Sequence, residues 1–304
     1  MPASLTRPAS PAVNGESPRV DGTTGSPPRC YVPPMLWLLL ACKQPDAAPR
    51  DFEAVVHDLW GHYAAADTEA LRVDVRDLRD LVDVAALAAA PAEGTLSDLS
   101  ADEAAAAGAP DVDPSVAVGL FSVGLVGCTP DEMERILFAT NQDELYPTNY
   151  TAYAREYTSD KSAYDARETA ALTWDGTYSV HIPLTGDYTS DILGGVHFVP
   201  DDAGADADAD ADEAAAAAGP YLLSTTVMPV PAVTDPPELV FDVDLQLEVF
   251  FPHDDGVVHF FGMWRNIDMP SGFGTDSEIG VTLILGGLHD WDDATTAICD
   301  EGRI

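Results

Sequence analysis

Histidines, tyrosines and acids are the residues of this chain whose types could do chemistry, and their spacing decides how much. His57 and His62 share one apolar-periodic stretch, but five residues turn a helix through about 500°, leaving the two rings about 140° apart around its axis. They cannot chelate one metal ion together. His181, His197 and His259 fall in alternating stretches, where two of them meeting across neighbouring strands beside an acid would make a zinc site. That requires a register the sequence does not state. Tyr146, Tyr150, Tyr153 and Tyr157 have helical spacing, and would either stack as an aromatic ligand platform or pack on a sheet. With 52 Asp and Glu in 304 residues, no carboxylate pair stands out as a general acid and base. No G-x-S-x-G, P-loop, dinucleotide fingerprint, HExxH or CxxC occurs. The sequence assigns no catalytic residue, no metal ligand and no cofactor.

Two hydrophobic periods supply the elements that must position these side chains. Phe52, Val55, Val56, Leu59, Trp60 and Tyr63 recur at helical spacing, which predicts an amphipathic helix. Asp67 and Thr68 end it and cap a second, carried by Leu71, Val75, Leu78 and Val82. Together they predict a helical hairpin. Residues 91–114, rich in Ala, Gly, Pro and Asp, read as a poorly structured connection. Thr129-Pro130-Asp131-Glu132 opens another helix, with a capping box ahead of Met133, Ile136 and Leu137.

Beyond about residue 165 the period changes from 3.6 to 2. Ala170, Leu172, Trp174, Gly176, Tyr178, Val180 and Ile182 alternate with Thr173, Asp175, Thr177, Ser179 and His181. A turn at Asp175-Gly176 would mix polar and apolar residues on both faces, so the pattern predicts one long strand with even positions inward and Gly176 at a bend. Thr185-Gly186-Asp187 then turns the chain into a strand over 188–199. Residues 201–219 alternate Asp with Ala but place Ala211 and Ala217 where a calcium loop needs Gly and Glu, and read as a disordered acidic loop. Strands are expected over 221–228 and, as a hairpin about Pro252-His253-Asp254-Asp255-Gly256, over 241–249 and 257–266. A last strand over 279–285 and a short helix over 290–299 complete the reading.

The expected fold class is α+β: an N-terminal helical hairpin, then a long-stranded, curved antiparallel meander sheet or partial barrel, with a short C-terminal helix. Its apolar face is either a packed core or a cup for an apolar ligand. Trp174, Tyr178, Phe241, Phe261, Met263 and Trp264 fit both, and Trp174, Tyr178, Phe261 and Trp264 are the ligand-pocket candidates.

The net charge of −38 excludes nucleic acid as a partner, since two polyanions repel. Basic residues are Arg rather than Lys by 12 to 2, as a GC-rich genome would encode, so part of the acidity is codon bias. The rest fits adaptation to salt, which screens self-repulsion.

A short apolar run over 35–41 follows a leader carrying Arg7, Arg19 and Arg29, and ends in Leu39-Leu40-Ala41-Cys42. This tetrapeptide resembles the lipobox of bacterial lipoproteins. The resemblance implies cleavage before Cys42, a diacylglycerol on its thiol, and a protein facing the periplasm or exterior from a membrane of the cell envelope. It implies a leader over 1–41 and a tether over 42–50; the two hydrophobic periods divide the rest into a helical region over 51–140 and an antiparallel β region over 141–304 that includes the acidic loop 201–219. Removing three Arg and two acids with the leader makes the mature charge −39. Cys30 leaves with the leader and Cys42 is consumed by lipid, so Cys128 and Cys299 remain, either as a disulfide that an oxidising envelope permits or as two buried thiols. The longest later apolar stretch, 116–127, falls short of the about 20 residues a spanning helix needs. Three functions follow: a lipid-anchored envelope protein binding a protein partner or an apolar ligand, a structural or surface lipoprotein without a small ligand, and a metal-dependent hydrolase.

Overall fold

The structure is a computed structural model that describes residues 50–182, 186–200, 220–235, 240–254, 256–268 and 274–304. The leader, Cys42, the tether apart from Arg50, and the acidic segment 201–219 lie outside the described residues.

The expected helical hairpin forms as α1 (Phe52–Ala64) and α2 (Thr68–Leu81). Asp51 and Asp67 cap them, each side chain accepting from a backbone N–H three residues on, which satisfies a donor the first turn leaves open. Arg50 binds Asp74 of α2 at 2.7 Å and Asp77 at 2.9 Å, fixing the entry to α1 against its neighbour. A one-turn helix, α3 (Val84–Leu87), follows.

Residues 91–114 are not an unstructured connection. They hold β1 (Ala92–Leu96) and α4 (Ala101–Ala106), with a 3-10 turn at Pro114–Val116 just beyond. β1 lacks an alternating pattern of its own and exists because it pairs with β2 (Val118–Val126), Leu96 opposite Gly119. α4 is closed by a capping box between Ser100 and Glu103, a signal readable in the sequence. The stretch 51–140 therefore contributes two strands as well as helices.

α5 (Pro130–Phe138) carries the Thr129–Glu132 capping box, and α6 (Gln142–Leu145) follows. The four tyrosines do not share a helix. Tyr146 caps α6, Tyr150 lies in the connection, and Tyr153 and Tyr157 belong to β3 (Ala152–Tyr157). α7 (Lys161–Asp165) leads to β4 (Ala171–Ile182), one unbroken strand with Leu172, Trp174, Gly176 and Tyr178 buried. Its partner β5 (Gly186–Val199) places Trp174 opposite Gly194. β6 (Tyr221–Val227), the short β7 (Ala232–Asp235), β8 (Val240–His253) and β9 (Gly256–Asp268) complete the strands.

The C-terminal segment corrects the expectation of a strand and a short helix. It is one helix of 23 residues, α8 (Glu278–Asp300), capped by Ser277. The β-branched run 279–285 suggested a strand, yet Gly280, Ile284, Gly287, Leu288 and Trp291 recur at i, i+4, i+7, i+8 and i+11. All five line one cavity against the sheet, and this helical stripe overrides local β preference.

Among the described residues the nine strands form one antiparallel sheet, ordered β1-β2-β9-β8-β6-β5-β4-β3, with β7 pairing β5 and β8. Both faces are covered. Val243, Leu245, Leu247, Val249, Phe260 and Trp264 pack against α1, α2 and α4. Alternate residues, among them Leu172, Trp174, Leu222 and Phe250, pack against α5 and the second half of α8. Each such buried aromatic or aliphatic side chain contributes about 1.5–3 kcal/mol, and Trp60 against Trp264, edge to face at 5.4 Å, anchors the first layer. Cys128 and Cys299 are joined by a disulfide, Cα atoms 5.5 Å apart, tying the β2–α5 connection to the end of α8. No helix among the described residues is long and apolar enough to cross a membrane.

Candidate functional site

A partly open cavity of about 530 Å³ lies between α8 and the sheet face formed by β4, β5, β6, β8 and β9. Trp174, Tyr178, Phe241 and Phe261 all line it. Trp264 does not: its ring is fully buried on the opposite face, and its indole N–H donates to the Ser97 carbonyl at 2.8 Å. Strand parity requires this, since residues three apart point to opposite faces. Met263 is buried but does not line the cavity. Tyr188 and Ile192 of β5 extend the apolar wall, and the first half of α8 closes it with Leu283, Ile284 and Leu288.

Polar groups interrupt this wall at three places. At one, Arg265 Nη2 donates to Asp244 Oδ2 at 2.7 Å, and Gln246 donates to the other carboxylate oxygen at 2.9 Å. Burial would lower the Arg265 guanidinium, but Asp244 outweighs it and holds the group above its ordinary value, so the guanidinium stays charged. Burial also pushes the nearby Tyr178 and Tyr188 hydroxyls up, keeping them as neutral donors.

At the second, Glu248 faces the cavity with His259 behind it. His259 Nδ1 lies 2.7 Å from Asp292 of α8, and Nε2 lies 3.4 Å from Glu248, a poor distance for a hydrogen bond. The imidazole stacks on Phe250 at 4.4 Å. Burial alone would lower its pKa, but Asp292 and then Glu248 outweigh burial and raise it to about 9. The Asp292 carboxylate can approach because residue 124 is glycine; a Cβ there would stand 2.6 Å from Asp292 Oδ2.

At the third, on the edge strand β3, the Arg155 guanidinium stacks over Trp174 at 3.9 Å. It donates to the Tyr153 hydroxyl at 2.7 Å and to the Leu137 carbonyl. Glu248, Arg265 and Arg155 were not legible as site residues. The first two alternate with apolar positions and so resemble solvent-facing residues, but here the alternate face is the cavity.

Four other histidines are placed apart. His57 bridges Glu103 and Ser97 at 2.8 and 2.9 Å, His62 binds Asp74 at 2.6 Å, and His181 pairs with Asp187 in an exposed position. His197 bonds Thr68 at 2.8 Å beside a second cavity of about 340 Å³ on the helical side of the sheet, and burial lowers its pKa to about 4.

No protein-family model matches this chain, and no curated protein does. Among solved structures, human StAR-related lipid transfer protein 5 is 10% identical with a TM-score of 0.39, the match covering 80% of this chain and 99% of that one. The protein TTHA0849 from Thermus thermophilus is 12% identical, with a TM-score of 0.31 over 60% and 94%. The STAR-related lipid transfer protein from Xanthomonas axonopodis is 11% identical, with a TM-score of 0.30 over 50% and 71%. At these values the likeness is confined to a partial agreement in backbone arrangement.

Proposed function

We propose that this chain binds a mostly apolar small molecule in the cavity beneath α8, and that it works at the cell envelope, held to a membrane by lipid on Cys42. The observation that carries the first part is the cavity itself. At about 530 Å³ it falls within the range of about 300–1,000 Å³ typical of small-molecule sites. Tyr178, Tyr188, Ile192, Phe241 and Phe261 make its wall apolar, so filling it removes ligand surface from water at about 25 cal/mol per Å². A protein with a purely structural role gains nothing from leaving this volume open between a helix and a sheet, because unfilled space forfeits packing. The anchor rests on the Leu39 to Cys42 tetrapeptide and the apolar run before it.

Two measurements test the two parts. Native mass spectrometry of the full chain should find a co-purified apolar ligand, and the neutral fluorophore N-phenyl-1-naphthylamine should bind the wild type but not Thr226→Trp, which fills the cavity from β6. Equal dye binding by both proteins sinks the ligand reading. Cys42→Ser should move the protein from membrane to soluble fractions; a wild type already soluble with Met1 attached sinks the anchor and leaves the ligand reading standing.

A further inference from the structure

In a chain of net charge −38, a cation without a counterion is unusual, and the cavity has one at its rim. Arg265 pairs with Asp244 and Arg167 with Glu134. Arg155 has no carboxylate partner among the described residues: its hydrogen bonds go to a tyrosine hydroxyl and a backbone carbonyl, both neutral. It lines the cavity on the edge strand, with Gln142, Thr148, Asn149 and Tyr150 nearby in the same wall.

The guanidinium is held ready for an anion. Stacking on Trp174 at 3.9 Å and on Tyr153 at 5.3 Å sets its plane, and Nε and Nη2 both reach the Tyr153 hydroxyl while Nη1 reaches Leu137. Of five N–H donors, this leaves one on each terminal nitrogen for a carboxylate or phosphate oxygen. Because the side chain is already ordered, binding there costs little further rotamer entropy. The general field of the protein repels anions at a distance, which makes a local cation necessary if the ligand carries one.

We propose that Arg155 receives the anionic group, carboxylate or phosphate, of an amphiphile whose apolar tail occupies the cavity. This assignment rests on the cavity being a ligand site. The tail runs inward toward Ile192, Phe241 and Phe261, and the charged head stays at the rim, where it remains partly hydrated.

The test compares dodecanoate, dodecyl phosphate and 1-dodecanol as competitors of N-phenyl-1-naphthylamine on the full chain, at high salt to remove general repulsion. One charge-assisted contact should make at least one of the two anions about tenfold tighter than the alcohol. R155Q should bring that ratio close to one and R155K should retain part of it, with thermal melts confirming that both variants fold. Preference for one anion over the other identifies the head group. A wild type that binds all three alike overturns the assignment and leaves the cavity reading intact, as does an anion preference that survives in R155Q. Failure of all three to compete overturns both.

Discussion

Trp174 and Gly194 face each other across β4 and β5, and the indole lies in the space that a Cβ on residue 194 would take. That atom would stand 2.1 Å from Trp174 Nε1. Glycine at 194 thus lets a large ring lie close along the sheet, where Arg155 stacks upon it. Gly194→Ala must push the ring away from the strand. It should destabilise the protein by about 1–3 kcal/mol, as overpacking does, and weaken binding at the rim as Arg155 loses its support. An unchanged denaturation midpoint would show that the ring is not held against residue 194.

Trp174 is 3% exposed, whereas Thr173 points to the other face and is exposed. Trp174→Asp should therefore cost about 3–5 kcal/mol or prevent folding, because it removes a buried aromatic and puts a charge among apolar groups. Thr173→Asp should cost under about 1 kcal/mol. Urea denaturation of the two variants checks this contrast, and similar midpoints would contradict the one-strand arrangement of residues 171–182.

The elements legible in advance are those whose cause is local. β4 alternates without a break, α5 carries its own capping box, and the β8–β9 hairpin turns where Pro252 and Gly256 stand. β1 and β7 were not legible because their stability comes from partners, β2 for one and β5 with β8 for the other. Trp264 was assignable all along, since its parity against Phe261 separates the two faces. In α8 a β-branched run hid a helical stripe that shows only when Gly280 and Gly287 are counted with the apolar residues. Arg155 carries no such signal, because what distinguishes it is the missing carboxylate, a tertiary fact.

The Cys128–Cys299 bridge spans a sequence separation of 171 residues. Closing so long a loop restricts the unfolded chain, and the chain-entropy model puts the stabilisation at up to about 5 kcal/mol. The doubly substituted Cys128→Ala, Cys299→Ala protein should unfold at lower urea than the wild type, and a reductant should shift the wild type toward it while leaving the variant unmoved. A reductant effect of equal size on both would mean that the shift does not come from this bridge.

His259 makes stability depend on pH in a definite window. Its pKa is 6.5 when unfolded and about 9 when folded, because Asp292 at 2.7 Å and Glu248 at 3.4 Å together outweigh the burial of the ring. A base whose pKa rises on folding contributes stability that is complete below the unfolded value and is lost as pH climbs through the folded one. The melting temperature should thus fall between about pH 6.5 and 9, with about 3–4 kcal/mol at stake on the scale of 1.36 kcal/mol per pKa unit. The buried His197, with its pKa lowered to about 4, acts in the opposite sense and only below pH 6.5, so the two windows do not overlap. Asp292→Asn removes the nearer carboxylate while keeping its shape, and should flatten the alkaline decline while lowering stability at pH 6. Should the variant decline as steeply as the wild type between pH 6.5 and 9, the contact between α8 and β9 is not what holds the proton on His259.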